Sequence, residues 1–203
     1  MEKERGQYHH GDLRRALLDA ALQLLGEPGA GEVTLREVAR RAGVTHAAPY
    51  RHFTNKEALL DAVSEEGFRL LTECMREHMK GKRRADARLR ASGVGYILFA
   101  VEHPAHFRAM FLQLGVSKTM HTELSESGDS AFDVLMDGVR AAQAEGSVRD
   151  GNPLPLALSC WSMTHGAAML LVEAGLGRMV KGLTARAFAE QVTEDVVRGM
   201  APR

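Results

Sequence analysis

The run TLREVARRAGVTHAAPYRHFTNKEALL, residues 34–60, constrains this chain more than any other stretch, because it holds two helix starts and one sharp turn. Thr34-Leu-Arg-Glu37 and Thr54-Asn-Lys-Glu57 both fit the capping box, in which a hydroxyl and a carboxylate satisfy reciprocal backbone donors. Gly43 predicts the end of the first helix, since glycine adopts the left-handed conformation that turns the chain. A short helix over about 45–53 follows. Ala39 is small where two helices cross, and Val38, Ala42 and Val44 are placed to pack inward. The pattern fits a helix-turn-helix, whose second helix is presented outward to the major groove with His46, Ala47, Ala48 and Tyr50 near base edges and phosphates. From spacing alone, an ordinary helical hairpin fits equally well.

The remaining sequence favours helices. Hydrophobic residues make up 45% of the 203, but aromatics only 5%. Such a composition favours helix over a sheet built from aromatic and β-branched side chains, so the expected class is all-α. The formal net charge is zero, and the bulk composition points to no nucleic-acid partner. Distribution says more: Arg36, Arg40, Arg41, Arg51 and Lys56 share their stretch with one acid, Glu37. A local basic surface binds phosphate without a basic pI. The two cysteines, Cys74 and Cys160, lie in apolar helical stretches, which argues against a disulfide framework. No apolar run is expected to reach spanning length, and MEKERGQYHHGD is too polar for a signal peptide, so a cytoplasmic protein is expected.

Helical periodicity places a first helix over about 12–25, capped by Asp12, followed by the breaker-rich loop GEPGAGE. Long helices are expected from residue 56 to about 79, from 85 to 102, and from Pro104, a residue tolerated in a first turn. A polar stretch over 117–129 precedes a helix over 132–144 and a loop over 145–153. Residues 154–174 form a nearly all-round apolar helix that should be buried on most sides. In the last helix, about 185–200, Phe188, Val192, Val196 and Met200 make one apolar stripe. The division expected is 1–56 for the helix-turn-helix module and 57–203 for a larger helical body.

With its GV, YRHF and NKEALL landmarks in order, the 34–60 run resembles the DNA-binding signature of the TetR family. The resemblance implies base contacts from Arg36, His46, Ala47 and Tyr50, and phosphate contacts from Thr34, Thr45, His52 and Lys56. Pro49 departs from the aliphatic residue usual before the tyrosine and removes one early helical hydrogen bond. YHHGDLRRALLDAAL, GYILFAVEHPAHFRAMF and the run Trp161-Ser-Met-Thr-His165-Gly166 are similar to the subgroup named for a Trp-His-Gly motif in its C-terminal domain. Membership implies a homodimer built through the last two long helices, a double-stranded DNA operator of near-palindromic sequence, and an effector cavity in the body. The function so implied is a ligand-responsive repressor. The competing expectation is a helical ligand-binding protein or small enzyme whose N-terminal module no longer binds DNA.

Trp161 and His165 lie one turn apart and share a helix face, while Gly166 would admit another helix closely. A buried tryptophan with a hydrogen-bonded histidine is the bland reading; a flat apolar wall and a donor to an effector is the sharper one. Met75, Met79, Phe99, Phe107, Met110, Phe111 and Phe132 could line an adaptable effector pocket, although such residues more often form core. His103 with His106 beside Glu102, and His9 with His10, suggest metal, but no third or fourth ligand stands at suitable spacing. Neither metal nor cofactor is expected. Nucleophile elbow, HExxH and GxGxxG after a strand are all missing from the sequence, so no enzyme is expected.

Overall fold

The structure is a computed structural model that describes residues 10–27, 33–113 and 130–202. The motif around His9, most of the glycine-rich loop and the polar stretch at 117–129 lie outside the described residues. Among the described residues the elements are all helical: α1 (His10–Gly26), α2 (Leu35–Arg41), a 3-10 turn (Pro49–Arg51), α3 (Lys56–Met79), α4 (Ala85–Glu102), α5 (Pro104–Arg108) continued by a π-helical turn (Ala109–Gln113), α6 (Ala131–Ala144), α7 (Pro153–Val172), α8 (Leu176–Met179) and α9 (Ala185–Gly199). The expected all-α class is what the chain adopts. The short α8 was not anticipated from periodicity, which needs more than four residues to register.

The chain divides into two compact units, the first comprising the described parts of Met1–Glu66 and Ala105–Val116, the second those of Gly67–Pro104 and Ser117–Arg203. In the first unit, Leu17, Ala21 and Leu25 of α1 are buried with Val38 of α2, Phe53, and Leu59, Leu60 and Val63 of α3. Burial of residues past Lys56 explains why compactness runs further along α3 than the 56/57 division. Arg108 donates to the Leu25 carbonyl oxygen at 2.9 Å, closing the C-terminal end of α1 with a residue 83 positions away.

In the second unit, α4 packs against α6, α7 and α9, and its own run from Val94 to Ala100 is buried throughout. Two apolar clusters set the directions: Leu89 lies with Val196 and Val197, while Ile97 lies with Ala189, so α4 and α9 run antiparallel. The N-terminus of α4 lacks a local side-chain cap, and the Glu145 carboxylate accepts from the Ala85 N–H at 2.7 Å instead.

Several expectations change. The capping box at α2 is half formed: Thr34 accepts from the Glu37 N–H at 3.2 Å, but the Glu37 carboxylate pairs with Arg40, whose Nε lies 2.9 Å away. At α3 the cap is Asn55, accepting from the Ala58 N–H at 2.8 Å, rather than Thr54. Helix α7 is not buried on most sides, since Leu154, Met163 and Leu170 stay between 42% and 50% exposed within this chain. It also corrects the expectation that no run reaches spanning length: its 20 residues, with a mean hydropathy of 1.3 over an 18-residue window, are long and apolar enough to cross a membrane. Gly166 receives no neighbour among the described residues, as a Cβ there would meet none of them within 4 Å. Cys74 and Cys160 are free thiols, and burial pushes Cys160 up to about 11.

Candidate nucleic-acid interface and effector site

The segment after α2 is shaped by two residues. Gly43 takes φ +68°, and around it the Val44 N–H reaches back to the Ala39 carbonyl at 3.0 Å. That bond spans the left-handed residue and ends α2 firmly. Pro49 then has no N–H to offer the Thr45 carbonyl, which accepts from Ala48 at 2.9 Å instead. The outcome is tighter than the short helix expected over 45–53: a turn followed by the 3-10 turn Pro49–Arg51. Pro49 of that turn and Phe53 just after it are buried, and the Arg14 guanidinium stacks 5.5 Å from the centre of the Phe53 ring.

Thr34, Arg36, Thr45, His46 and Ala47 are exposed, Tyr50 is 62% exposed, and His52 and Lys56 are half-buried. A tyrosine so exposed beside a buried proline contributes little to the core, which leaves its ring available to a partner. The local basic excess is smaller than the residue count implies. Arg40 is held by Glu37, and Arg41 by Glu27 at 2.7 Å. The hydrogen bond from Arg40 holds the Glu37 carboxyl below its ordinary range. Arg36 and Arg51, both exposed, have no ion pair among the described residues. Arg51 counted in the basic stretch of the sequence but was given no contact of its own; its position one residue past Tyr50 was the available signal.

In the second unit, Trp161 and His165 of α7 meet Tyr96 of α4. The indole N–H of Trp161 donates to the Tyr96 hydroxyl at 3.4 Å, a long bond, and that hydroxyl lies 2.9 Å from Nδ1 of His165. Burial lowers the His165 pKa, favouring neutral imidazole. When the Tyr96 O–H donates to Nδ1, the neutral imidazole carries its proton on Nε2. Phe132 of α6 packs edge-on to Trp161, with centroids 6.4 Å apart. Tyr96 was missed by sequence reasoning, although it is the sole polar-tipped aromatic in an otherwise apolar run. Of the proposed pocket residues, Met75 and Phe99 are buried in this unit and Met79 is half-buried. Phe107, Met110 and Phe111 are buried in the other, with the Phe107 and Phe111 rings 5.0 Å apart. Among the described residues no three His, Cys, Asp or Glu side chains gather as a metal site.

Two family profiles match the chain. Residues 17–63 match the family described as bacterial regulatory proteins, tetR family, and residues 89–196 match the tetracyclin repressor-like C-terminal domain, over half the chain. The chain belongs to the TetR family. Its relatives include the class D tetracycline repressor protein of Escherichia coli, 30% identical over 68% of this chain; the chain spans 57% of that protein's length. Among solved structures, a protein of unknown function from Rhodococcus sp. RHA1 is 32% identical, with a TM-score of 0.73 over 98% of this TetR-family chain and all of the other. A bacterial regulatory protein in the tetR family from Rhodococcus RHA1 reaches the same TM-score at 19% identity, over 94% and 98% of the two chains, which shows the shared fold. The TetR profile over 17–63 contains the Gly43 turn and the exposed Thr45, His46, Ala47 and Tyr50.

Proposed function

We propose that this TetR-family protein is a DNA-binding transcriptional regulator, working as a ligand-responsive repressor. The observation that carries the reading is the set Thr45, His46, Ala47 and Tyr50, exposed on a footing of buried Val38, Ala39, Pro49 and Phe53, within the stretch that matches the family. Arg36, His46, Ala47 and Tyr50 reach base edges; Thr34, Thr45, His52 and Lys56 reach phosphates. Residues 1–56 grip the operator, and 57–203 dimerise and bind an effector. The family match favours this over a carrier or enzyme that has lost DNA binding.

The dimer forms through α7 and α9. Support comes from the outer face of α7, where Met163 and Leu170 are exposed and Gly166 stands open between them. Ser159 and Ser162 donate to carbonyls of their own helix, at 2.9 and 2.8 Å, so this small-residue face carries little unmet polarity. Its apolar side chains account for the hydropathy of α7 without a membrane and agree with a cytoplasmic protein. Trp161, His165 and Gly166 support a reading of the chain as a member of the Trp-His-Gly subgroup, with Phe132, Trp161 and His165 forming part of the effector wall. Effector and operator favour different populations of one dimer, which makes their coupling reciprocal.

A gel shift with the region upstream of the protein's own gene tests the reading. Tyr50→Ala should weaken binding by on the order of tenfold, and Lys56→Ala should flatten the dependence of log affinity on log salt by about 0.9. Undiminished binding by Tyr50→Ala would remove the proposed contact surface.

A further inference from the structure

We propose that a groove between α4 and α9 is a binding site for a small aliphatic monocarboxylate. The groove is open on one side, offers about 270 Å³ and shares no residue with the Trp161–His165 cluster. The volume is below the roughly 300 Å³ at which sites for drug-sized ligands begin, so the fit is to a short molecule.

The sequence explains why the space exists. The two helices run antiparallel, and Gly93 lets them close on one edge: a Cβ there would fall 2.7 Å from Thr193 Cγ2. On the adjoining edge, Ala87 and Ala91 present methyl groups where longer side chains would fill the gap, and Val94 continues the same face. His78 and Lys82 also line the groove. Its lining is therefore partly apolar, which suits a hydrocarbon chain better than a bare inorganic ion.

Charge selects the headgroup. Arg90 pairs with Glu194, and Arg186 lies 3.8 Å from Glu190 on the next turn. Lys82 is exposed and makes no ion pair among the described residues. Three cations against two carboxylates leave one unmatched positive charge at the groove. One negative charge neutralises it, whereas a dianion would bring excess charge against Glu190 and Glu194. A carboxylate on Lys82, with its chain along Ala87, Ala91 and Val94, meets both conditions.

Sodium butanoate is the probe, titrated into the full chain by calorimetry, with amide shifts followed by heteronuclear NMR. Binding in the millimolar range or tighter is expected, with shifts centred on residues 78–94 and 186–194. Lys82→Glu should weaken binding at least about tenfold by reversing the unmatched charge, while Lys82→Arg keeps it within about threefold. The exposed position of Lys82 keeps both variants folded, as far-UV circular dichroism checks. Absence of heat and shifts to about 50 mM, equal binding by Lys82→Glu, or tighter binding of inorganic phosphate than of butanoate would each overturn the proposal. None of these results bears on operator binding, which the gel shift reads separately.

Discussion

His165 couples its environment to pH in a direction that can be worked out. Burial lowers its pKa from the ordinary 6.5, so below about that pH the unfolded chain takes up a proton that the folded chain refuses. Folding stability is therefore intact above the unfolded value and is lost as pH falls from there toward the depressed folded value. His165→Asn keeps an oxygen where Nδ1 accepts from Tyr96 and removes the titration. Urea midpoints measured at pH 7.5 and pH 5.5 should fall less for this variant than for the parent; equal falls would detach the histidine from the acid response. Trp161 and His165 were visible in the sequence as one helix face, because a spacing of four is local information. Their link to Tyr96 was not, since 65 and 69 residues of chain separate the partners.

Helix boundaries were legible where the determinants are neighbours in sequence. The limits of α3 and α4 follow from apolar period, the Gly43 turn from glycine conformation, and the role of Thr34 from its place as a cap. Choosing between adjacent cap residues was harder: Thr54 and Asn55 both carry an oxygen, and only the register of the first turn decides which meets the third N–H. Asn55→Ala should cost about 1 kcal/mol, the usual loss of a cap, whereas Thr54→Ala should stay within about 0.5 kcal/mol as an exposed substitution. Thermal or urea unfolding of the two variants distinguishes them, and a larger loss at Thr54 would reverse the assignment. Pro49 marked a departure from the usual pattern, but its result, a 3-10 turn in place of a helix, depended on the Thr45 carbonyl finding the Ala48 N–H. The cap of α4 by Glu145 had no local signal at all.

At the scale of the molecule, the exposed apolar face of α7 belongs to an interface between two chains in the proposed regulator. Met163→Glu sets a charge on a side chain that is 50% exposed in the single chain, so the fold tolerates it while the interface does not. Sedimentation velocity should show the variant shifting toward monomer at concentrations where the parent is dimeric; unchanged assembly would move the interface elsewhere. The sequence by itself determined the helical class, most helix limits and the family of the 34–60 run, because each rests on residues within a turn or two of one another. Tertiary structure decided what distance along the chain conceals: Arg108 on the end of α1, Glu145 on the start of α4, Tyr96 on His165, and the open face of α7. An apolar period tells a helix to bury a face, but the number of neighbours available to cover it is a property of the packed chain. For α7 those neighbours run out before its apolar surface does.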